Sequence, residues 1–134
     1  LALPLFQKCM GESRSAGIMF IDADHLKYIN DTFGHDMGNL AISSIASVIR
    51  QHCPANSVSM RYGGDEFLLL FPKMSEKDMA EKNKRIKEAV ANIVFTEYPT
   101  LHLSVSIGGV CGVHPIMEAI RQADKRMYEN KRTS

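Results

Sequence analysis

A chain of 134 residues, 45% of them hydrophobic, is the size of one domain and can bury a single core. Its 16 lysines and arginines against 15 aspartates and glutamates point neither to a nucleic-acid partner nor to direct contact with an anionic membrane. No apolar run reaches the length of a membrane span, and none has the form of a signal peptide. Cys9, Cys53 and Cys111 lack zinc or redox spacing, which predicts buried free thiols.

In chain order, Leu1, Leu5 and Cys9 recur at helical spacing and predict a packing helix to about Glu12. Gly17 to Ile21 is an apolar run too short for a helix, which suits a central strand buried on both faces. It ends in Asp22-Ala23-Asp24. Asp22, the favoured ligand, then sits at the strand's C-terminal end, where open α/β sheets place ligands. Asp24 is expected to be structural, with the N-cap of a short helix to Asp31 as one role, or to support the ligand. Asp36 to Cys53 is amphipathic, with Leu40, Ala41, Ile45, Val48 and Ile49 on the apolar face and Pro54 as the stop.

Two strand-type runs, Ser57 to Tyr62 and Phe67 to Phe71, flank Gly63-Gly64, which predicts a tight β-hairpin with the glycines at positive φ. Asp65 and Glu66 stand immediately beside that turn. Carboxylates at the entrance to a buried strand need a positive partner, and a hard divalent cation is one candidate. Taken alone, the motif fits a solvated hairpin tip, where Asp and Glu are common, better than a metal site. Together with Asp22, however, they could hold one or two Mg²⁺ ions on substrate phosphates.

Ser75-Glu76-Lys77-Asp78 has the form of a capping box, opening a helix to about Val94 with Met79, Ile86, Val90 and Ile93 inward. Leu101, Leu103, Val105 and Ile107 alternate with His102, Ser104 and Ser106, the pattern of a half-buried strand. Gly108-Gly109 marks a bulge or a close backbone approach. Pro115 suits the first turn of a last helix whose apolar face is Ile116, Ala119, Ile120, Ala123 and Met127. The order helix, strand, helix, hairpin, helix, strand, helix predicts an α+β domain with a mostly antiparallel sheet.

Asp22-x-Asp24-x-x-Lys27-x-x-Asn30-Asp31-x-x-Gly34-His35-x-x-Gly38, followed by Arg61-x-Gly63-Gly64-Asp65-Glu66-Phe67, resembles the GGDEF family of diguanylate cyclases over nearly the whole chain. Two separate motifs in order and register make the resemblance specific. It implies a ferredoxin-like palm, similar to nucleotidyl cyclases, with the GGDEF hairpin at its centre. It also implies a cytoplasmic output domain that condenses two GTP into cyclic di-GMP and two pyrophosphates. That reaction takes a homodimer with facing active sites and two Mg²⁺ (or Mn²⁺) per site. By the same resemblance Asp22 and Asp65 hold the metals, and Asp65 or Glu66 assists deprotonation. The turn at His25, Leu26 and Lys27 cradles the triphosphate, with Lys131 as a further phosphate contact.

Asn30 and Asn39 fall where the family contacts guanine. The family places Asp at position 39, and an amide, which can be turned either way, discriminates less between guanine and adenine. Asn30 could equally be a helix-terminal residue in a left-handed conformation, and Lys131 a lysine favoured by the helix dipole. Pro54 and Ser57 replace the Arg and Asp of the family's inhibitory product site, so no product inhibition is expected there. Relative to the family pattern residues 1–134 form a single domain truncated at both ends, with a linked sensor expected upstream. A catalytically silent GTP-binding regulatory module, or a cyclase with relaxed base choice because of Asn39, are the alternatives.

Overall fold

The computed structural model describes residues 16–112 and 115–133; the helix expected over residues 1–12, with Cys9, lies outside them. Among the described residues four strands form one sheet: β1 (Gly17–Ala23), β2 (Val58–Arg61), β3 (Glu66–Phe71) and β4 (Val105–Cys111). Their order is β2-β3-β1-β4, and every pairing is antiparallel. The helices among these residues that pack on it are α1 (Leu26–Phe33), α2 (His35–Gln51), α3 (Glu76–Ala91) and α4 (Ile116–Thr133). Through β4 this is the βαββαβ arrangement of a ferredoxin-like core, with α1 and α2 together making the first crossover.

Alternation along the strands builds two cores. Met19, Ile21, Phe67, Leu69 and Ile107 point to the side covered by α1, α2 and α3. Ile18, Phe20, Leu68, Leu70 and Val110 meet Ile116, Ile120, Ala123 and Met127 of α4 on the other. β1 lies between β3 and β4 and is buried at all seven residues, as its unbroken apolar run predicts. The close approach expected at Gly108-Gly109 is real and no bulge interrupts the ladder. A Cβ on Gly108 would lie 2.1 Å from the Ala123 carbonyl oxygen and 2.3 Å from the Met127 nitrogen, both helix backbone.

Several local expectations are corrected. The hairpin connection spans four residues, Tyr62 to Asp65, and neither Gly63 nor Gly64 has positive φ. The Arg61 guanidinium instead closes the loop, its Nε donating to the Gly64 carbonyl at 3.2 Å. Gly63 lies against the Glu66 side chain, where a Cβ would stand 2.8 Å from Glu66 Oε1, a flexible end that can turn aside. On α2, Leu40 is 46% exposed, and Ile42 takes the inward place. Helix α3 begins as predicted, with Ser75 Oγ accepting from the Asp78 N–H at 3.0 Å, but ends at Ala91, leaving Ile93 half-buried beyond it. β4 starts at Val105 rather than Leu101 and runs on to Cys111, and Ser106, expected on a polar face, is fully buried. Cys53 and Cys111 are free thiols, half-buried rather than buried.

Candidate active site

The C-terminal end of β1 is gripped from both sides. The Ala23 N–H donates to the Asp65 carbonyl at 2.9 Å, and the Asp24 N–H to the Ser104 carbonyl at 3.0 Å. Asp22, within the strand, pairs across the sheet with Glu66 on β3 and Ser106 on β4. The chain then turns sharply at His25, a non-glycine residue at φ 57°, and enters α1. A left-handed β-carbon there costs about 1–2 kcal/mol. The turn leaves the first N–H groups of α1 without intrahelical acceptors, and no side chain caps them.

Asp24 is therefore not the N-cap. Its carboxylate is buried on the other side, accepting from Ser106 Oγ at 2.6 Å and Ser104 Oγ at 2.8 Å, and so ties the end of β1 to β4. Asp22 and Asp65 do come together, since Asp65 is close enough to raise the Asp22 pKa. Burial is the largest influence on Asp22 and raises its pKa, Lys131 lowers it and Asp65 adds to the rise, for a net value of about 6. Lys131, from the last turn of α4, donates to Asp22 Oδ2 at 2.6 Å and lies 3.7 Å from Asp24 Oδ1. Burial works to lower the Lys131 pKa, but the hydrogen bond and charge of Asp22 outweigh it and hold the ammonium above its usual range. At neutral pH the pair is thus ionic. The helix dipole alone does not describe this lysine.

Asp22 Oδ1 is buried with no hydrogen-bond partner. Such an oxygen, on a carboxylate with Asp65 in its neighbourhood, suits a cation that takes oxygen ligands. Among the described residues no three His, Cys, Asp or Glu side chains converge as a protein-only metal cage. The donor set therefore fits Mg²⁺ or Mn²⁺, which bind through one or two carboxylates and complete their shell with water and substrate phosphate.

Glu66 shares the α4 face of the sheet with Asp22, because the two are register partners; Asp65 precedes the strand, so strand alternation does not set them apart. Glu66 lines a cavity of about 670 Å³ with Phe20, Tyr62 and Asp124. Burial, then Asp65 and Asp124, raise its pKa.

Asn30 lies inside α1, which ends at Gly34 (φ 95°), so the left-handed terminal role falls to the glycine. Its side chain rests on Gly38, where a Cβ would lie 1.7 Å from Asn30 Oδ1. Asn39, one residue on, is exposed at the mouth of a cleft of about 500 Å³ between α2 and β2 that is floored by Ile42, Ala46 and Phe67. Lys27 is 91% exposed and pairs with Asp31 at 3.0 Å. Pro54 and Ser57 present no charge.

Sequence reasoning missed Ser104, Ser106 and Asn130. Asn130 Oδ1 accepts from Lys87 Nζ at 2.7 Å and from the Ile107 N–H at 3.0 Å, pinning the last turn of α4 to α3 and β4.

The family described as "Diguanylate cyclase, GGDEF domain" matches residues 3–134. The chain belongs to the GGDEF family. Among curated relatives of this GGDEF domain, the probable diguanylate cyclase DgcC of Escherichia coli strain K12 is 30% identical over 131 residues, covering 95% of this chain and 35% of that protein. The response regulator PleD of Caulobacter vibrioides is 31% identical over 119 residues, covering 84% and 26%. The chain thus spans about a third or less of the length of these relatives. The GGDEF domain of PA1120 (YfiN or TpbB) from Pseudomonas aeruginosa superposes with a TM-score of 0.86 at 28% identity, covering 98% of this chain and 87% of that one. The GGDEF domain of DgcB from Caulobacter crescentus, solved with c-di-GMP, gives a TM-score of 0.85 at 24% identity, covering 99% and 84%, and supports the fold. No helix among the described residues is long and apolar enough to cross a membrane.

Proposed function

We propose that residues 1–134 form one GGDEF output domain that condenses two GTP into cyclic di-GMP. Two such domains face each other in a homodimer, in the cytoplasm where GTP is held, and a sensor module elsewhere in the same protein governs them. The observation that carries the reading is the buried, unpartnered Asp22 Oδ1 beside Asp65. Asp22 and Asp65 would hold Mg²⁺ or Mn²⁺, two per site, which when bound supplies Lewis-acid polarisation of the phosphate and acidifies the attacking hydroxyl.

The remaining work belongs to the chain. N–H groups at His25, Leu26 and Lys27 and the ammonium groups of Lys27 and Lys131 hold the triphosphate. Asn30 and Asn39 orient the base. The 3′-hydroxyl of one nucleotide forms a bond to the α-phosphorus of the other, pyrophosphate leaves, and the hydroxyl proton passes to a carboxylate oxygen of Glu66 or Asp65. The raised pKa of Glu66 favours it as that acceptor.

The test is chromatography of products from a forced dimer given Mg²⁺ with GTP, ATP or both. Cyclic di-GMP from wild type and none from Asp65→Ala is expected. A mixed adenine–guanine product, converted to cyclic di-GMP alone by Asn39→Asp, establishes the relaxed-base reading. GTP binding without product establishes the silent regulatory module.

A further inference from the structure

The last turn of α4 delivers an ammonium group onto the carboxylate that the metal-site reading needs. Lys131 Nζ donates to Asp22 Oδ2 at 2.6 Å and to the Ala23 carbonyl at 3.5 Å, and Asp24 Oδ1 is 3.7 Å away. Asp22 offers only its other oxygen, Oδ1, to anything else. A divalent ion on Oδ1 would stand within a few ångströms of the ammonium, in a site where burial weakens screening by water and salt. The backbone beneath Lys131 is pinned by Asn130 to Lys87 and Ile107. The lysine stem is long and flexible, and its side chain is 34% exposed, so the ammonium can swing outward without moving the helix.

We propose that Lys131 is an exchangeable counter-ion that sets the order of loading. It neutralises Asp22 in the empty domain and opposes binding of a divalent ion alone. It moves to a polyphosphate oxygen when a nucleoside triphosphate arrives with its metal. The inference rests on the reading of Asp22 and Asp65 as metal ligands. Each charged group keeps an opposite partner through the exchange: the metal replaces the ammonium on Asp22 as the phosphate replaces Asp22 on the ammonium. Asp24 stays with its two serine hydroxyls throughout.

The experiment is a Mn²⁺ titration of the nucleotide-free domain, with free Mn²⁺ followed by electron paramagnetic resonance. It compares wild type with Lys131→Met, Lys131→Arg, Asp22→Asn and, as a control remote from the site, Lys84→Met. Removing the ammonium should tighten Mn²⁺ binding about tenfold or more, the scale on which a charge acts on a neighbouring group. Lys131→Arg and Lys84→Met should match wild type, and Asp22→Asn should bind no Mn²⁺. A non-hydrolysable GTP analogue should raise wild-type affinity and narrow the gap to Lys131→Met. Should Lys131→Met not fold, Lys131→Gln makes the same comparison. Equal affinity in wild type and Lys131→Met, lost in Asp22→Asn, overturns the counter-ion and leaves the metal site standing. Binding retained in Asp22→Asn, or absent from every variant with and without nucleotide, overturns both.

Discussion

Replacing Gly108 by alanine puts a methyl group into the backbone of α4. The new carbon would lie 2.1 Å from the Ala123 oxygen, 2.3 Å from the Met127 nitrogen and 2.8 Å from the Arg126 carbonyl carbon. None of these can rotate aside as a side chain can, so helix and strand must part by roughly 1 Å or more to restore ordinary contact. Overpacking of this kind costs about 1–3 kcal/mol, and the rigidity of the obstacle puts Gly108→Ala near 3 kcal/mol. For a domain of this size that is a fall in Tm of roughly 10 °C. The displacement also reaches the site, because Lys131 is one helical turn beyond Met127, and it moves the base of the stem that carries the 2.6 Å contact with Asp22. The assay is equilibrium urea unfolding with thermal melting, set beside Gly64→Ala. Gly64 has nothing within 4 Å of a new Cβ and no positive φ, so its substitution should stay within about 0.5 kcal/mol of wild type. If Gly108→Ala is as stable as Gly64→Ala, the close packing of α4 on β4 is refuted.

Asp24→Ala leaves the Ser104 and Ser106 hydroxyls without their acceptor and should cost about 1–3 kcal/mol by urea titration. Ser75→Ala removes the acceptor for the Asp78 N–H and should cost about 1 kcal/mol, read the same way, with nucleotide binding unchanged. The Asp22 pKa, lifted to about 6 chiefly by burial, gives a pH dependence of definite sign. An acid raised on folding stabilises fully below its unfolded value, and that stability is lost as pH rises through the folded value. The stability of wild type relative to Asp22→Asn should therefore fall by at most about 3 kcal/mol between about pH 4 and pH 7. Thermal melts across that range check it. Mn²⁺ affinity should rise over the same window, since the metal takes the deprotonated carboxylate.

The elements legible in the sequence were those fixed by local pattern. The unbroken run into Asp22 gave a central strand, the α4 stripe from Ile116 to Met127 is buried throughout, and Ser75 caps α3. Errors arose where contacts distant in sequence override local preference. Asp24 has the composition of a cap, but two serines some eighty residues away take its carboxylate, and His25 adopts the left-handed turn instead. Ser106 alternates like a surface residue, yet it is buried because Asp24 satisfies it. Gly63 and Gly64 suggested a turn of positive φ, while the loop is instead closed by the Arg61 guanidinium on the Gly64 carbonyl. In the site, the meeting of Asp22 with Asp65 followed from one strand end and one hairpin. The hold of Lys131 on Asp22 and the Asn130 clamp on Lys87 and Ile107 did not, because nothing local sets which residues of α4 reach β1, β4 and α3.

If Asp22 and Asp65 make one metal and phosphate site, nucleotide binding must draw on both carboxylates through the metal. Calorimetric titration of a non-hydrolysable GTP analogue, with and without Mg²⁺, into wild type, Asp22→Asn and Asp65→Asn tests it most directly. Binding that depends on Mg²⁺ in wild type and loses that dependence in both variants is the predicted result. Mg²⁺-dependent binding that persists unchanged in either variant would contradict it.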